Sequence, residues 1–128
     1  MKVLVLGAGN MGLTYAEGMA NSPFLNKRKL MIFDVSPQKT EALSTMAQFD
    51  AYDSIEECVP KADVIFIAVK PYHSQSLFDS IKPYINQEQL FVSLMAGVTI
   101  NTIQEGLGVK KVIRTMPNLP AKVGKGVT

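Results

Sequence analysis

Residues 3–6, Val-Leu-Val-Leu, form an unbroken apolar run that stops at Gly7-Ala8-Gly9-Asn10-Met11-Gly12. No other feature narrows the folds open to this chain as much. An apolar run with β-branched members and no alternation describes a strand buried on both faces. The glycine cluster ends that strand and releases the chain into a helix. Gly7, Gly9 and Gly12 stand at G-x-G-x-x-G spacing, where each missing side chain has its own steric purpose. The first allows the tight turn, the second lets backbone approach a pyrophosphate, and the third lets the helix pack against the strand. The N–H groups of the helix's first turn lack carbonyl partners and, with the helix dipole, favour an anion by roughly 0.3–1 kcal/mol. Asn10 is placed to cap that turn.

A lone glycine motif is weak, and context strengthens this one. A strand precedes it, and at a βαβ distance Leu30-Met31-Ile32-Phe33 forms a second apolar strand ending in Asp34. The competing reading is a methyltransferase-type loop for an adenosyl cofactor. Such glycines usually follow an acid at the end of the first strand, where this chain has Val5 and Leu6, so the pattern favours a dinucleotide.

Further along, Met11, Tyr15 and Met19 with Ala16 and Ala20 repeat at helical spacing until Asn21-Ser22-Pro23, and read as core filler. Lys27-Arg28-Lys29 is a solvated strand entry. Ser36-Pro37 reads as N-cap and first helical residue, with Leu43, Met46 and Ala47 inward. Asp50-Ala51-Tyr52 is a short third strand. Ser54 with Glu57 forms the pattern of a capping box for a brief helix carrying Ile55, a buried Cys58 and Val59. Asp63 introduces Val64 to Val69, the most apolar run in the chain and a central strand covered on both faces, which Lys70-Pro71 ends. Leu77, Phe78 and Ile81 give the next helix its inner face, and Leu90 to Leu94 is a fifth strand. Thr99 caps a helix with Ile100, Ile103 and Leu107 inward, closed by Gly106 and Gly108. Lys110 to Arg114 is a last strand, followed by an irregular turn from Thr115 to Pro120.

With 128 residues and 47% hydrophobic content, the chain can bury one sizeable core. Strands alternating with helices predict an α/β fold: a doubly wound parallel sheet of the Rossmann type in the order 3-2-1-4-5-6, one domain over residues 1–128. Ligands in such sheets lie across the carboxyl ends of the strands. The segments after each strand, Gly7 to Gly12, Asp34 to Ser36, Lys70-Pro71, Met95 to Gly97 and Thr115 to Asn118, therefore converge on one crevice. The net charge of +2 is spread along the chain, which gives no nucleic-acid or membrane surface. Cys58 is the only cysteine, so an internal disulfide framework and a multi-cysteine metal site are excluded and a cytoplasmic address is expected. There is no signal-peptide pattern and no apolar run of membrane-spanning length.

With those segments in hand, the chain resembles the nucleotide-binding domain of the pyrroline-5-carboxylate reductase family. The resemblance rests on Gly7-Ala8-Gly9-Asn10-Met11-Gly12, Ala68-Val69-Lys70-Pro71, Ser93-Leu94-Met95-Ala96-Gly97-Val98, Arg114-Thr115-Met116-Pro117-Asn118-Leu119-Pro120-Ala121 and Val123-Gly124-Lys125-Gly126. It implies NAD or NADP as cofactor and hydride transfer from the reduced nicotinamide to the C=N carbon of a cyclic imino acid, as in proline biosynthesis. It places the nicotinamide near Ala68, Val69, Lys70 and Pro71, near Met95, Ala96 and Gly97, and near Met116 and Asn118. The family usually carries a small hydroxyl residue where Leu119 stands. It also continues beyond the position of Thr128 into an all-helical domain that forms the dimer and completes the substrate pocket. The expectation is therefore a cofactor-binding fragment, inactive alone, of a protein that is a homo-oligomer when complete.

The cofactor residues expected are thus Gly7, Gly9, Asn10, Met11, Gly12, Asp34, Ser36, Ala68, Val69, Lys70, Pro71, Met95, Ala96, Gly97, Met116 and Asn118. Asp34 suits the ribose hydroxyls of NAD, whereas Ser36 and Lys39 can hold a 2′-phosphate if Asp34 turns outward. Lys70 and Asn118 are the catalytic candidates, a strand-end cation and an amide with both donors and acceptors. Their plainer readings are a solvated lysine and a turn residue. Arg114, at the end of a buried strand, suits a structural ion pair. His73 is the only histidine, and exposure is its simpler reading beside a general-acid role. No metal-ligand spacing appears. The open alternatives are a reductase of another imino or 2-hydroxy acid, which Leu119 permits, and a dinucleotide-binding module without catalysis.

Overall fold

The computed structural model describes residues 2–7, 16, 18, 30–46, 49–95 and 97–115. Its elements in chain order are β1 (Val3–Leu6), β2 (Leu30–Phe33), α1 (Pro37–Ser44), β3 (Phe49–Tyr52), α2 (Ile55–Cys58), β4 (Val64–Ile67), α3 (Ser74–Ile81), β5 (Leu90–Ser93), α4 (Ile100–Leu107) and β6 (Val112–Arg114). The strands form one six-stranded parallel sheet in the order β3-β2-β1-β4-β5-β6, as expected.

Alternation along β1 explains the absence of polar residues there. Leu4 and Leu6 enter one core with Ile65, Ile67, Phe78, Phe91, Ile103 and Leu107, while Val3 and Val5 enter a second with Leu30, Ile32, Leu43 and Phe49. Each fully buried aliphatic side chain contributes roughly 1.5–3 kcal/mol. Layers on both faces make this a doubly wound sheet. Ala16 is helical, fully buried and part of the second core, where the βαβ reading places the first helix. The remaining residues assigned to that helix, Met11, Tyr15, Met19 and Ala20, lie outside the described residues, as do Asn21-Ser22-Pro23, Lys27-Arg28-Lys29, Ala47 and the segment from Met116 to Pro120.

Several local expectations are corrected. Ser54 caps α2 without a side-chain bond, because its carbonyl already accepts the N–H of Glu57 at 3.3 Å, so no capping box forms. The helix α4 buries Ile103 and Leu107 one turn apart, but Ile100, at its first position, is 38% exposed. Only Gly108 closes α4, at φ +71 with its N–H on Gln104 O, while Gly106 lies within the helix. The central strand ends at Ile67 and its second face is incompletely covered, Val64 and Phe66 being half-buried. Arg114 is exposed because β6 is the edge of the sheet among the described residues, and only Val112 of that strand is buried.

Gln89 carries a polar role that periodicity does not signal. It is 2% exposed, donates to Val59 O and Ala62 O at 2.8 Å each, and accepts the Asn86 N–H at 3.0 Å. These bonds tie the entry of β5 to the turn before β4, and all three would be lost to an apolar residue. Among the described residues no helix is long and apolar enough to cross a membrane.

Candidate functional site

Parallel pairing brings the carboxyl ends of the strands level with one another. The Gly7 N–H donates to Phe33 O at 2.8 Å and the Ala68 N–H to Leu6 O at 2.9 Å, and then Leu94 N–H to Ile67 O and Thr115 N–H to Ser93 O. Gly7 has φ +105, and a Cβ there would lie 2.9 Å from the carbonyl carbon and oxygen of Ala68. The backbones of β1 and β4 thus meet where a side chain would force them apart, at the point where the winding of the sheet reverses.

A cavity of about 180 Å³ opens above this point, between the ends of β1, β2 and β4. Gly7 contributes from β1, Asp34, Val35 and Lys39 from the β2 side, and Ala68, Val69 and Lys70 from the β4 side, with His73 and Leu77 behind them. Asp34 Oδ1 accepts the Ser36 N–H at 2.8 Å. Ser36 caps α1 by accepting the Lys39 N–H, and Thr40 Oγ1 donates to the carbonyls of Asp34 and Ser36. The β2 wall is therefore braced by the helix it leads into. Across the cavity Lys70 and His73 are exposed, the His73 N–H donates to Lys70 O at 2.8 Å, and the Tyr72 and His73 rings meet edge-on at 4.4 Å.

Of the residues expected to bind cofactor, Gly7, Asp34, Ala68, Val69 and Lys70 come together around this cavity. Ser36 supports it from behind, and Pro71 opens the turn that carries His73. Met95 is 2% exposed and its side chain belongs to the core, its N–H donating to the fully buried Ser93 Oγ at 3.2 Å. Gly97, at φ +76, is exposed with no atom near its missing Cβ, so the left-handed conformation alone calls for glycine. Gly9, Asn10, Met11, Gly12, Ala96, Met116 and Asn118 lie outside the described residues. Val35, inside the Asp34 to Ser36 segment expected at the crevice but not among the individual cofactor residues, joins the lining and is 81% exposed. Cys58 plays no part, since it is fully buried and burial pushes its thiol up to about 11.

The strand order, the reversal between β1 and β4, and a crevice there faced by an acid from the second strand define a Rossmann-type domain of the dinucleotide-binding class. A sequence profile described as "NADP oxidoreductase coenzyme F420-dependent" matches residues 2–97, and the chain belongs to that family. It is 39% identical over 133 residues to the pyrroline-5-carboxylate reductase of Staphylococcus haemolyticus, covering all of this chain and 48% of that protein. The Escherichia coli pyrroline-5-carboxylate reductase is 36% identical over 128 residues, at 99% and 48% coverage. The crystal structure of Plasmodium falciparum pyrroline carboxylate reductase with NADP bound superposes with a TM-score of 0.77 at 30% identity, covering 97% of this chain and 45% of that one. The chain thus spans about half the length of these relatives.

Proposed function

We propose that this chain is the NAD(P)-binding domain of an imine reductase that acts, as pyrroline-5-carboxylate reductases do, on a cyclic C=N bond in proline biosynthesis. The observation that carries the reading is the cavity at the reversal point, with Gly7 at its base, Asp34 on one wall and Lys70 on the other. Its groups suit an adenosine: an acid to accept from ribose hydroxyls, cations beside it, and apolar surface from Leu6, Val35 and Leu77. A space of this size takes one moiety of a dinucleotide. The pyrophosphate is assigned to Gly9, Asn10, Met11 and Gly12, and the nicotinamide to the segments of Met95 to Gly97 and Met116 to Asn118.

When bound, the reduced nicotinamide supplies a hydride to the imine carbon. The chain's own contribution is to orient that ring and one side of the substrate, Asn118 through its amide and the Pro71 and Gly97 turns by fixing the wall, while Lys70 borders the adenosine cavity. Groups that hold the substrate carboxylate are assigned to a further helical domain and its dimer mate. The reading places the protein in the reducing cytoplasm, in accord with its single, buried thiol. Leu119, where the reductase family usually has a small hydroxyl residue, supports a second reading in which the substrate is another imino or 2-hydroxy acid. A panel of cyclic imines and keto acids tested on the complete protein separates the two.

Titration of the chain with NADH and with NADPH, followed by nicotinamide fluorescence, is expected to saturate. Gly9→Val is expected to abolish the signal while leaving the far-UV spectrum unchanged, because a β-branched side chain fills the space of the pyrophosphate. A folded Gly9→Val variant that binds as tightly as the wild type overturns the phosphate assignment.

A further inference from the structure

Among the described residues two polar side chains are buried, and they stand at the two ends of β5: Gln89 just ahead of its entry, 2% exposed, and Ser93 at its exit, 0% exposed. Packing does not ask for a hydroxyl at Ser93, since alanine fills nearly the same space with no polar atom to satisfy. The neighbouring peptide groups already belong to the sheet: the Leu94 N–H donates to Ile67 O at 2.9 Å, and Ser93 O accepts the Thr115 N–H at 3.0 Å. Met95 carries the next N–H, and Ser93 Oγ accepts it at 3.2 Å, so the side chain closes a turn as the backbone leaves the sheet. The loop that begins there is held at both shoulders, with Met95 2% and Val98 8% exposed in the same core. It is open at Gly97, which has φ +76 and no atom within 4 Å of its missing Cβ.

A doubly wound sheet takes a dinucleotide in two halves, one on either side of the point where its winding reverses. On the cofactor reading above, the cavity between β1, β2 and β4 takes one half, and none of Ser93, Met95 and Gly97 lines it. The other half falls to the carboxyl ends of β4, β5 and β6. Ser93, in register with Ile67 on one side and Arg114 on the other, stands in the middle of that row. Resting on that reading, we propose that Ser93 is a positioning residue for hydride transfer: its hydroxyl, through the Met95 N–H, fixes the wall from Met95 to Gly97 against which the nicotinamide ring lies. Ser93 is fully buried and acts only through that backbone. A displacement of ~1 Å in such a wall lowers the rate by up to about 10²-fold, because hydride transfer tolerates little error in distance or angle. The contacts that the nucleotide makes in the cavity are left intact, so loss of the hydroxyl separates rate from affinity.

The test compares wild type, Ser93→Ala and Ser93→Thr in two measurements, with far-UV spectra confirming that each variant is folded. The first is fluorescence titration of the chain with NADPH, read both as affinity and as the emission of the bound nicotinamide at saturation. The second is NADPH oxidation with pyrroline-5-carboxylate by the complete protein, read as kcat and as KM for NADPH. Ser93→Ala is expected to keep affinity and KM within about twofold of the wild type, to change the bound emission, and to lower kcat roughly tenfold. Ser93→Thr keeps the hydroxyl and is expected to restore emission and kcat to within about twofold. Wild-type emission and kcat in folded Ser93→Ala overturn the proposal, as does a threonine variant that behaves like the alanine one. A fall in affinity and kcat together, in step with the folded fraction, reduces Ser93 to a structural residue and also overturns it. Should Ser93→Ala not fold, Ser93→Cys, a weaker acceptor of similar size, takes its place, with a lowered kcat at unchanged KM expected and a wild-type kcat overturning the proposal. If the wild type binds no NADPH, the cofactor reading itself fails.

Discussion

Gly7 and Asp34 are residues whose roles the sequence states almost outright, one by lacking a side chain at a strand end and the other by being an acid after an apolar run. What the spacing leaves unsaid is the neighbour that makes the glycine obligatory, the Ala68 backbone 2.9 Å from its missing Cβ and 61 residues away in the chain. The direction of Asp34 is equally invisible, since it depends on an N–H that α1 presents. Cys58 shows the reverse, a reading from hydrophobic context alone that the structure bears out. With its thiol raised from 9.0 to about 11 by burial, the folded protein keeps this proton at a pH where the unfolded chain has lost it. Its contribution to stability is therefore complete below pH ~9 and declines as pH rises toward about 11. Urea denaturation between those values is expected to show a steeper loss for the wild type than for Cys58→Ala. Parallel slopes would place the titrating group elsewhere.

Helices and strands were legible to the extent that their periodicity was unambiguous. Leu77, Phe78 and Ile81 are all buried as their spacing requires, and Ser36-Pro37 opens α1 as cap and first residue. Element ends were harder to read, because they are decided by what competes for the last backbone groups. The capping box at Ser54 fails for this reason, and Gly106, which reads as a terminator, lies within α4 instead. Its real constraint is lateral: a Cβ at Gly106 would lie 2.6 Å from Cδ2 of the fully buried Phe78, so α3 and α4 approach through a missing side chain. Gly106→Ala gains about 1 kcal/mol of helix propensity and loses about 1–3 kcal/mol to overpacking. The variant is expected to unfold at lower urea concentration, by up to ~2 kcal/mol of stability on those figures. An unchanged or raised midpoint would mean that the Phe78 ring moves aside freely.

For the whole molecule the consequence is a division of labour. Of the residues assigned here, Gly7, Asp34, Ala68, Val69 and Lys70 line the cavity proposed for the cofactor, and holding an imine carbon about 3–3.5 Å from the hydride donor can supply roughly 7–11 kcal/mol of barrier reduction only when the substrate is gripped from both sides. This chain alone is therefore expected to bind NADPH yet oxidise it negligibly with pyrroline-5-carboxylate at saturating cofactor. A longer polypeptide that adds the all-helical domain is expected to turn over. Robust turnover by the short chain would relocate the substrate-holding groups to Lys70, Asn118 and the Met95 to Gly97 segment. From its residues alone, the chain determined the strand order and the class of ligand, because alternation, apolar runs and glycine spacing act within a few residues of one another. The tertiary structure alone decided which side chains face each other across the crevice, that Met95 turns into the core, and that Lys39 and His73 stand on opposite walls. Those outcomes depend on packing between segments distant in the chain, where no local pattern reaches.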